Sequence, residues 1–171
     1  MILLDVMART AGTDASGLPE IELHSGTRFK YRSHATLKAG GGGQGFYRKG
    51  TNDLIPLRGT GCLLLADELN RWLGGNTGVS TGFRAAVDSS GRIITSLDPD
   101  PLVTERAGGL MFLRGIGQFF QANRTLRERM IEIVREYAAI GPSGTFLDIG
   151  CGFGFFSLSL AGSFKEGAGI D

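Results

Sequence analysis

The chain has 171 residues, of which 42% are hydrophobic and 20% charged, and this is the composition of an ordinary globular protein with one or two domains. Its net charge of +1 singles out no class of partner, and its only cysteines, Cys62 and Cys151, exclude a disulfide framework and a CxxC metal knuckle. The opening stretch MILLDVMA is short, carries Asp5 and lacks a basic leader, which predicts no signal peptide. We therefore expect a cytoplasmic protein with no membrane span and no bound metal.

Three regions of the chain differ in pattern. Residues 1–20 form an N-terminal segment with loop chemistry at Gly12–Gly17. Residues 21–108 show short strand patterns interrupted by glycine and one helical pattern, which predicts a small mixed α+β domain. Residues 109–171 are predicted to form the N-terminal, incomplete part of a second domain.

The strand patterns of the second region begin with RFKYRSHATLK, Arg28–Lys38, where basic residues alternate with apolar ones. This alternation predicts a strand whose aromatic residues face inward. QGFYRKGTNDLIPLR continues as a strand pair, and GRIITSL, Gly91–Leu97, predicts one more strand. Between them, CLLLADELNRWLG, Cys62–Gly74, predicts a helix because leucines recur at helical spacing, namely Leu64, Leu65, Leu69 and Leu73.

The third region contains a pronounced amphipathic pattern in NRTLRERMIEIVREYAAIGPSG. It predicts a helix that Asn123 or Thr125 caps and that Gly141-Pro142 ends. The predicted apolar stripe consists of Leu126, Met130, Ile133, Val134 and Tyr137. The predicted solvent side consists of Arg127, Arg129, Glu132, Arg135 and Glu136.

The remaining elements are the strand TFLDI, a glycine-rich loop, a helix from about Phe155 to Ala161, and a final strand GAGID. Helix, strand, loop, helix and strand in this order are the opening of a doubly wound, Rossmann-like parallel sheet. The predicted fold class is therefore α/β, with this sheet preceded by the small mixed domain.

The stretch FLDIGCGFGFF places glycine at every second position of the loop Gly150–Gly154, here called the glycine loop. Bare glycines let a ligand approach the main chain beyond the ends of the strands. The dinucleotide fingerprint GxGxxG would need glycine at Phe155, and the acid Asp148 suits a cationic ligand better than a pyrophosphate. With Asp171 available for ribose hydroxyls, the pattern favours S-adenosylmethionine. A nicotinamide cofactor and a glycine-rich turn in an unrelated α/β protein remain alternatives.

A second motif accompanies the loop in GLMFLRGIGQFFQANRTL. Together the two closely resemble the RNA 5-methyluridine methyltransferase family, of the TrmA/RumA type, which uses S-adenosylmethionine. The family's Phe-Phe-Gln-x-Asn element is matched by Phe119, Phe120, Gln121 and Asn123. Its Leu-Asp-x-x-Cys-Gly-x-Gly loop is matched by Leu147, Asp148, Cys151, Gly152 and Gly154. A weaker similarity extends the resemblance upstream to about Phe29.

The resemblance implies methyl transfer from S-adenosylmethionine to C5 of a uridine in tRNA or rRNA. In the family a cysteine thiolate adds to C6 of uracil, C5 then takes the methyl group, and a carboxylate removes the C5 proton. These groups lie in later strands, beyond Asp171, and the cysteines that hold an iron–sulfur cluster in some members would precede Met1. We therefore expect a fragment that contains no catalytic residue and is inactive alone. Cys151 itself is read as a small packing residue.

The cofactor-binding residues that the resemblance implies are Gln121, Asp148, Ile149, Gly150, Gly152, Gly154, Phe155 and Asp171. Three of them depart from the family pattern. Ile149 stands where an aromatic residue is usual, and Phe155 stands where a small or polar one is usual. Asp171 replaces the commoner glutamate, and a shorter carboxylate still accepts the same hydrogen bonds.

Basic charge is segregated, because no acidic residue occurs between Glu22 and Asp53. The basic patch of this stretch consists of Arg28, Lys30, Arg32, Lys38, Arg48 and Lys49. Phosphate contacts need such a surface, and neighbouring aromatic residues can stack on unpaired bases. It is mainly the family resemblance, however, that makes RNA the predicted partner. Two other functions stay open, a non-catalytic RNA-binding remnant and a methyltransferase with a small-molecule or protein substrate. The sequence predicts no particular oligomeric state.

Overall fold

The computed structural model describes residues 10, 12, 20–41, 43–57, 59, 61–76, 78–138 and 144–171. Most of the predicted N-terminal segment and the helix stop at Gly141-Pro142 lie outside these residues. The strands are β1 (His34–Gly40), β2 (Gly43–Tyr47), β3 (Leu54–Pro56), β4 (Phe83–Val87), β5 (Ile93–Thr95), β6 (Leu102–Ala107), β7 (Leu110–Gly115), β8 (Thr145–Ile149) and β9 (Glu166–Ile170). The helices are α1 (Asp67–Gly75), α2 (Arg127–Ala138) and α3 (Phe155–Leu160), and a 3-10 turn at Ala161–Ser163 follows α3.

The second region folds as a five-stranded sheet with strand order β3-β2-β1-β4-β5. Its strands pair antiparallel, and α1 covers one face. The leucines at helical spacing explain this packing, because Leu69 and Leu73 of α1 are buried against Leu37 and Phe83 of the sheet. Leu64 is an exception to the predicted stripe, since it is exposed and precedes the helix.

The strand predicted over Arg28–Lys38 is wrong in its first half, because β1 begins at His34. The N–H groups of Lys30 and Arg32 donate to the carbonyls of Leu63 and Leu64, at 2.8 and 2.9 Å, so this stretch runs beside the segment before α1. Lys30 has φ 59°, which a strand does not accommodate. The inward orientation predicted for the aromatic residues is also wrong at Phe29, which is exposed.

A hairpin of β6 and β7, which the sequence analysis did not predict, follows the sheet. Its turn is Gly108-Gly109, with φ 58° and 76°, a backbone that glycine adopts without strain. The hairpin packs on the sheet through Val103, which is buried with Ala86 and Ile94. The predicted domain boundary after residue 108 falls at this turn and stays a prediction.

The third region contains the predicted strand–loop–helix–strand unit. β8 and β9 pair parallel, with Leu147 opposite Ala168 and Ile149 opposite Ile170, and the glycine loop and α3 connect them. The predicted α/β class and the helix at Phe155 are confirmed.

The helix α2 is confirmed, but its predicted faces are wrong at both ends. Arg127, predicted to face solvent, is buried with Ile131, whereas Tyr137 of the predicted apolar stripe is 81% exposed. The cause is a buried acid, Glu105, which pairs with Arg127 and turns this side of the helix inward.

No helix in the described part of the chain is both long enough and apolar enough to cross a membrane.

Candidate functional site

The glycine loop connects the end of β8 to the first residue of α3. Gly150, Gly152 and Gly154 have φ values of 77°, 51° and 79°, in the left-handed region that other residues rarely adopt. The alternate glycines are therefore a conformational requirement. A Cβ added at Gly150 or Gly152 would meet no atom within 4 Å, so the surface of the loop is open to a ligand.

Hydrogen bonds attach the loop to the end of β9. The N–H groups of Gly150 and Cys151 both donate to the carbonyl of Ile170, at 2.7 and 3.1 Å. The N–H group of Gly152 donates to Oδ1 of Asp171 at 3.2 Å. The Asp171 carboxylate thus lies against the bare part of the loop.

Asp148 is half-buried at the end of β8 and accepts a hydrogen bond at Oδ2 from the Ser157 hydroxyl, at 2.5 Å. One of its oxygens therefore attaches α3 to the strand. Ile149, the next residue, is largely exposed. Cys151 packs toward β9, because a Cβ on Gly169 would lie 2.8 Å from its sulfur atom, and this agrees with the packing role predicted for it.

The segment Phe119–Asn123 reaches the loop through Phe120, which is 1% exposed. Its ring centroid lies 6.4 Å from that of Phe153 and 5.4 Å from that of Phe155. Phe155 is itself buried in this aromatic cluster, so only its main chain can face a ligand. Gln121 follows Phe120 directly and is half-buried, and its side chain makes no hydrogen bond to another described residue.

The segment Phe119–Asn123 also lies beside the residues that precede β1. The N–H group of Ser33 donates to the carbonyl of Ala122 at 2.9 Å, and that of Arg124 donates to the carbonyl of Tyr31 at 3.1 Å. Arg32 pairs with Asn123 in an isolated bridge. One member of the basic patch is therefore adjacent to the segment that carries Gln121.

A set of buried polar residues that was not predicted from the sequence lies behind this segment. It consists of Ser33, Glu105, Arg114 and Arg127 and is here called the Glu105 network. The Glu105 side chain, 2% exposed, accepts from Arg114 at 2.8 Å and from Arg127 at 2.7 Å. Arg127 also donates to the Ser33 hydroxyl at 2.7 Å and to the Gln121 carbonyl at 2.8 Å. The alternation in LVTERA could have revealed it, since Glu105 occupies the inward side with Val103 and Ala107.

Burial and neighbouring charge shift two titrations here. Burial lowers the pKa of Arg127, and Glu105 opposes that shift. Burial, together with the positive charges of Arg114, Arg127 and Arg32, lowers the pKa of His34 from 6.5 to about 4. His34 is therefore neutral at pH 7.

All six residues of the basic patch are exposed. Lys30 is paired with Asp67, with 2.6 Å between Nζ and Oδ1. Two cations lie over aromatic rings, Arg28 at 5.3 Å from the centroid of Phe29 and Lys38 at 5.5 Å from that of Tyr47. Arg48 and Lys49 lie in the turn after β2.

The fold is similar to that of a solved structure. That structure, the Pyrococcus abyssi tRNA (uracil-54, C5)-methyltransferase in complex with S-adenosyl-L-homocysteine, matches with a TM-score of 0.63 over 92% of this chain and 52% of that one. At 15% sequence identity, this likeness bears on the fold alone.

Sequence comparison confirms the resemblance to RNA methyltransferases. An uncharacterized RNA methyltransferase of Lactiplantibacillus plantarum is 35% identical over 77 residues, which are 45% of this chain and 16% of that protein. The tRNA (uracil-5-)-methyltransferase homolog A of Mus musculus is 30% identical over 93 residues, 54% of this chain and 15% of that protein. The matches thus span only a small part of these relatives' length. No family model matches the chain.

Proposed function

We propose that this chain forms part of an RNA (uracil-5-)-methyltransferase that transfers the methyl group of S-adenosylmethionine to C5 of a uridine in tRNA or rRNA. The observation that carries the proposal is the open glycine loop, attached to Asp171 on one side and to Phe120 on the other. The relatives named above support the class of reaction.

The hydrogen bonds of the loop favour a sulfonium donor over a dinucleotide. A pyrophosphate site uses free N–H groups of the glycine-rich loop as well as those at the start of the helix. Here the N–H groups of Gly150, Cys151, Gly152 and Gly154 already donate to protein oxygens, and two carboxylates flank the loop. Asp148 and Asp171 would repel a phosphate and attract a cation.

Each predicted cofactor residue then has a role that its position allows. Gly150 and Gly152 leave room for the ligand beside the main chain, and Gly154 turns the chain into α3. Asp171 accepts hydrogen bonds from the ribose, while Gln121 and Asp148 contact the polar groups of the donor. Ile149 offers an exposed apolar surface, and Phe155 only its main chain. No catalytic residue is assigned within this chain, so the thiol and the base come from elsewhere in a complete enzyme.

The loop assignment is tested with two glycine variants that carry the same backbone strain. Gly152→Ala and Gly109→Ala each place a Cβ in open space at a positive φ, so each costs roughly 1–2 kcal/mol of stability. Only the first obstructs the proposed site. In calorimetric titrations with S-adenosylhomocysteine, we expect Gly152→Ala to weaken binding at least about tenfold, a loss of ~1.4 kcal/mol. Gly109→Ala should match the parent, and equal affinities for all three proteins would contradict the assignment.

RNA is the proposed substrate, and the basic patch is the proposed contact surface. Arg32 is the member nearest to the cofactor-contacting segment, and Lys38 adjoins the exposed ring of Tyr47, which can stack on an unpaired base.

The RNA proposal is tested by removing these two charges. Arg32→Ala/Lys38→Ala should weaken binding to a tRNA transcript and flatten its salt dependence, by about 0.7 in the log–log slope per lost contact to single-stranded RNA. Arg71→Ala/Lys165→Ala removes two exposed charges elsewhere and is the control. If both doubles bind RNA equally well, the patch is not the contact surface. S-adenosylhomocysteine binding without any RNA binding would favour a small-molecule or protein substrate.

A further inference from the structure

We propose that Glu105, acting through Arg127, is a positioning residue for the candidate cofactor site, because it fixes the main chain at Gln121 relative to the glycine loop. The inference rests on the proposed function, since it concerns the segment that contacts the cofactor. The ion pairs of Glu105 are with Arg114 and Arg127, and Arg127 provides its connection to Gln121.

Glu105 lies on β6 with its side chain in the interior, and each carboxylate oxygen accepts from a different arginine, Oε1 from Arg114 and Oε2 from Arg127. A buried carboxylate with two buried guanidinium groups is weak evidence for stability alone, because apolar residues of similar volume often stabilise a core equally well. The two ion pairs instead fix the orientation of the Glu105 carboxylate, because each of its oxygens has its own arginine partner.

The guanidinium group of Arg127 contacts three separate parts of the chain at once. Nη1 donates to Glu105 of β6, Nη2 donates to Ser33 before β1, and Nε donates to the Gln121 carbonyl. The guanidinium group is planar and rigid, so two anchored nitrogens determine where the third points. The carbonyl of Gln121 is therefore held at a fixed place relative to the hairpin and the central sheet.

The side chain of Phe120 links the Gln121 carbonyl to the glycine loop. Phe120 precedes Gln121, and its ring lies 5.6 Å from the guanidinium carbon of Arg114 and 4.7 Å from that of Arg127. The same ring contacts Phe153 within the glycine loop and Phe155 after it. A shift of Arg127 would thus move Phe120 and Gln121 together, and would change the contact with the loop.

The test uses Arg127→Lys in the full 171-residue chain. Lysine keeps the positive charge beside Glu105 but has no planar fork, so it cannot hold Glu105, Ser33 and Gln121 together. Arg124→Lys is the matched control, because Arg124 is close in sequence, pairs with Glu68 at the surface and does not contact Gln121. Backbone NMR without ligand, S-adenosylhomocysteine titration and thermal unfolding are measured on the parent and both variants.

We expect the Gln121 carbonyl carbon and the amides of Gly150–Gly154 to shift in Arg127→Lys and to stay unchanged in Arg124→Lys. The dissociation constant for S-adenosylhomocysteine should rise about tenfold in Arg127→Lys only. Unchanged loop amides in folded Arg127→Lys, or shifted amides with parental affinity, would overturn the inference. Shifted amides in a protein whose parent binds no S-adenosylhomocysteine would support the positioning and refute the proposed function instead.

Should Arg127→Lys fail to fold, Ser33→Ala replaces it. This change removes one acceptor of Arg127 and also the hydrogen bond that the Ser33 hydroxyl donates to the Ala122 carbonyl at 3.3 Å, and it removes no charge. The same resonances of Gln121 and Gly150–Gly154 are expected to move, by less than in Arg127→Lys. Their constancy in Ser33→Ala would count against the inference.

Discussion

His34, the first residue of β1, lies beside the arginines of the Glu105 network, and its Nδ1 atom is buried without a hydrogen-bond partner among the described residues. Burial, reinforced by Arg114, Arg127 and Arg32, lowers its pKa from 6.5 to about 4. Between these values the unfolded chain binds a proton that the folded protein does not bind. The contribution of neutral His34 to stability is therefore complete above pH 6.5 and is lost as the pH falls toward 4.

We predict that His34→Gln makes the free energy of unfolding less sensitive to acid. The parent should lose stability between pH 7 and pH 5 more steeply than the variant, with a limiting difference of about 1.4 kcal/mol per pH unit. Urea unfolding at a series of pH values measures this difference. Parallel curves for the parent and His34→Gln would contradict the assignment.

The β6–β7 hairpin contacts both the five-stranded sheet and the aromatic cluster beside the glycine loop. One side packs on the sheet through Val103, and Phe112 of β7 joins the aromatic cluster with Phe120 and Phe155. The hairpin also carries Glu105 and Arg114, so the buried charges depend on its position.

Loss of the Glu105 carboxylate is predicted to be costly because it leaves two arginines buried without a counter-charge. Glu105→Ala should destabilise the fold by about 3–5 kcal/mol. Glu68→Ala breaks an ion pair with Arg124 at the surface and should cost about 0–1 kcal/mol. Chemical unfolding of both variants under one condition measures the contrast, and similar losses would show that the network is not the buried structural element described above.

Sequence patterns predicted the elements that local periodicity determines. Leu69 and Leu73 of α1, the strand β8 and the glycine loop carry their own signals and lie where they were expected, but α1 begins at Asp67 and not at Cys62 as predicted. The strand at Arg28–Lys38 failed because alternation says nothing about Lys30, whose positive φ and bond to Leu63 depend on a segment distant in sequence.

The faces of α2 failed for a related reason. An arginine on a helix is ordinarily solvated, and only its partner on β6 makes Arg127 an interior residue. The loop half of the candidate site could therefore be predicted from one stretch of sequence. The network that holds Gln121 could not, because its members come from four separate parts of the chain.

At the scale of the whole molecule, the candidate site depends on contacts between residues far apart in sequence. Phe120 and Gln121 connect these distant parts of the chain. The Gln121 carbonyl accepts from Arg127 of α2, which also donates to Ser33 of the second region. The ring of Phe120 contacts the glycine loop at Phe153. The basic patch reaches the same segment through Arg32. The glycine loop and Arg32 of the basic patch thus both adjoin the segment Phe119–Asn123.

We propose that the glycine loop binds an adenosyl sulfonium donor and not a dinucleotide. An NMR titration of the 171-residue chain with S-adenosylmethionine and, separately, with NADH tests this ligand preference. We predict that S-adenosylmethionine shifts the amide resonances of Gly150–Gly154 and Asp171 in a saturable manner, and that NADH leaves them in place. Saturable shifts of these resonances with NADH, or none with S-adenosylmethionine, would contradict the account.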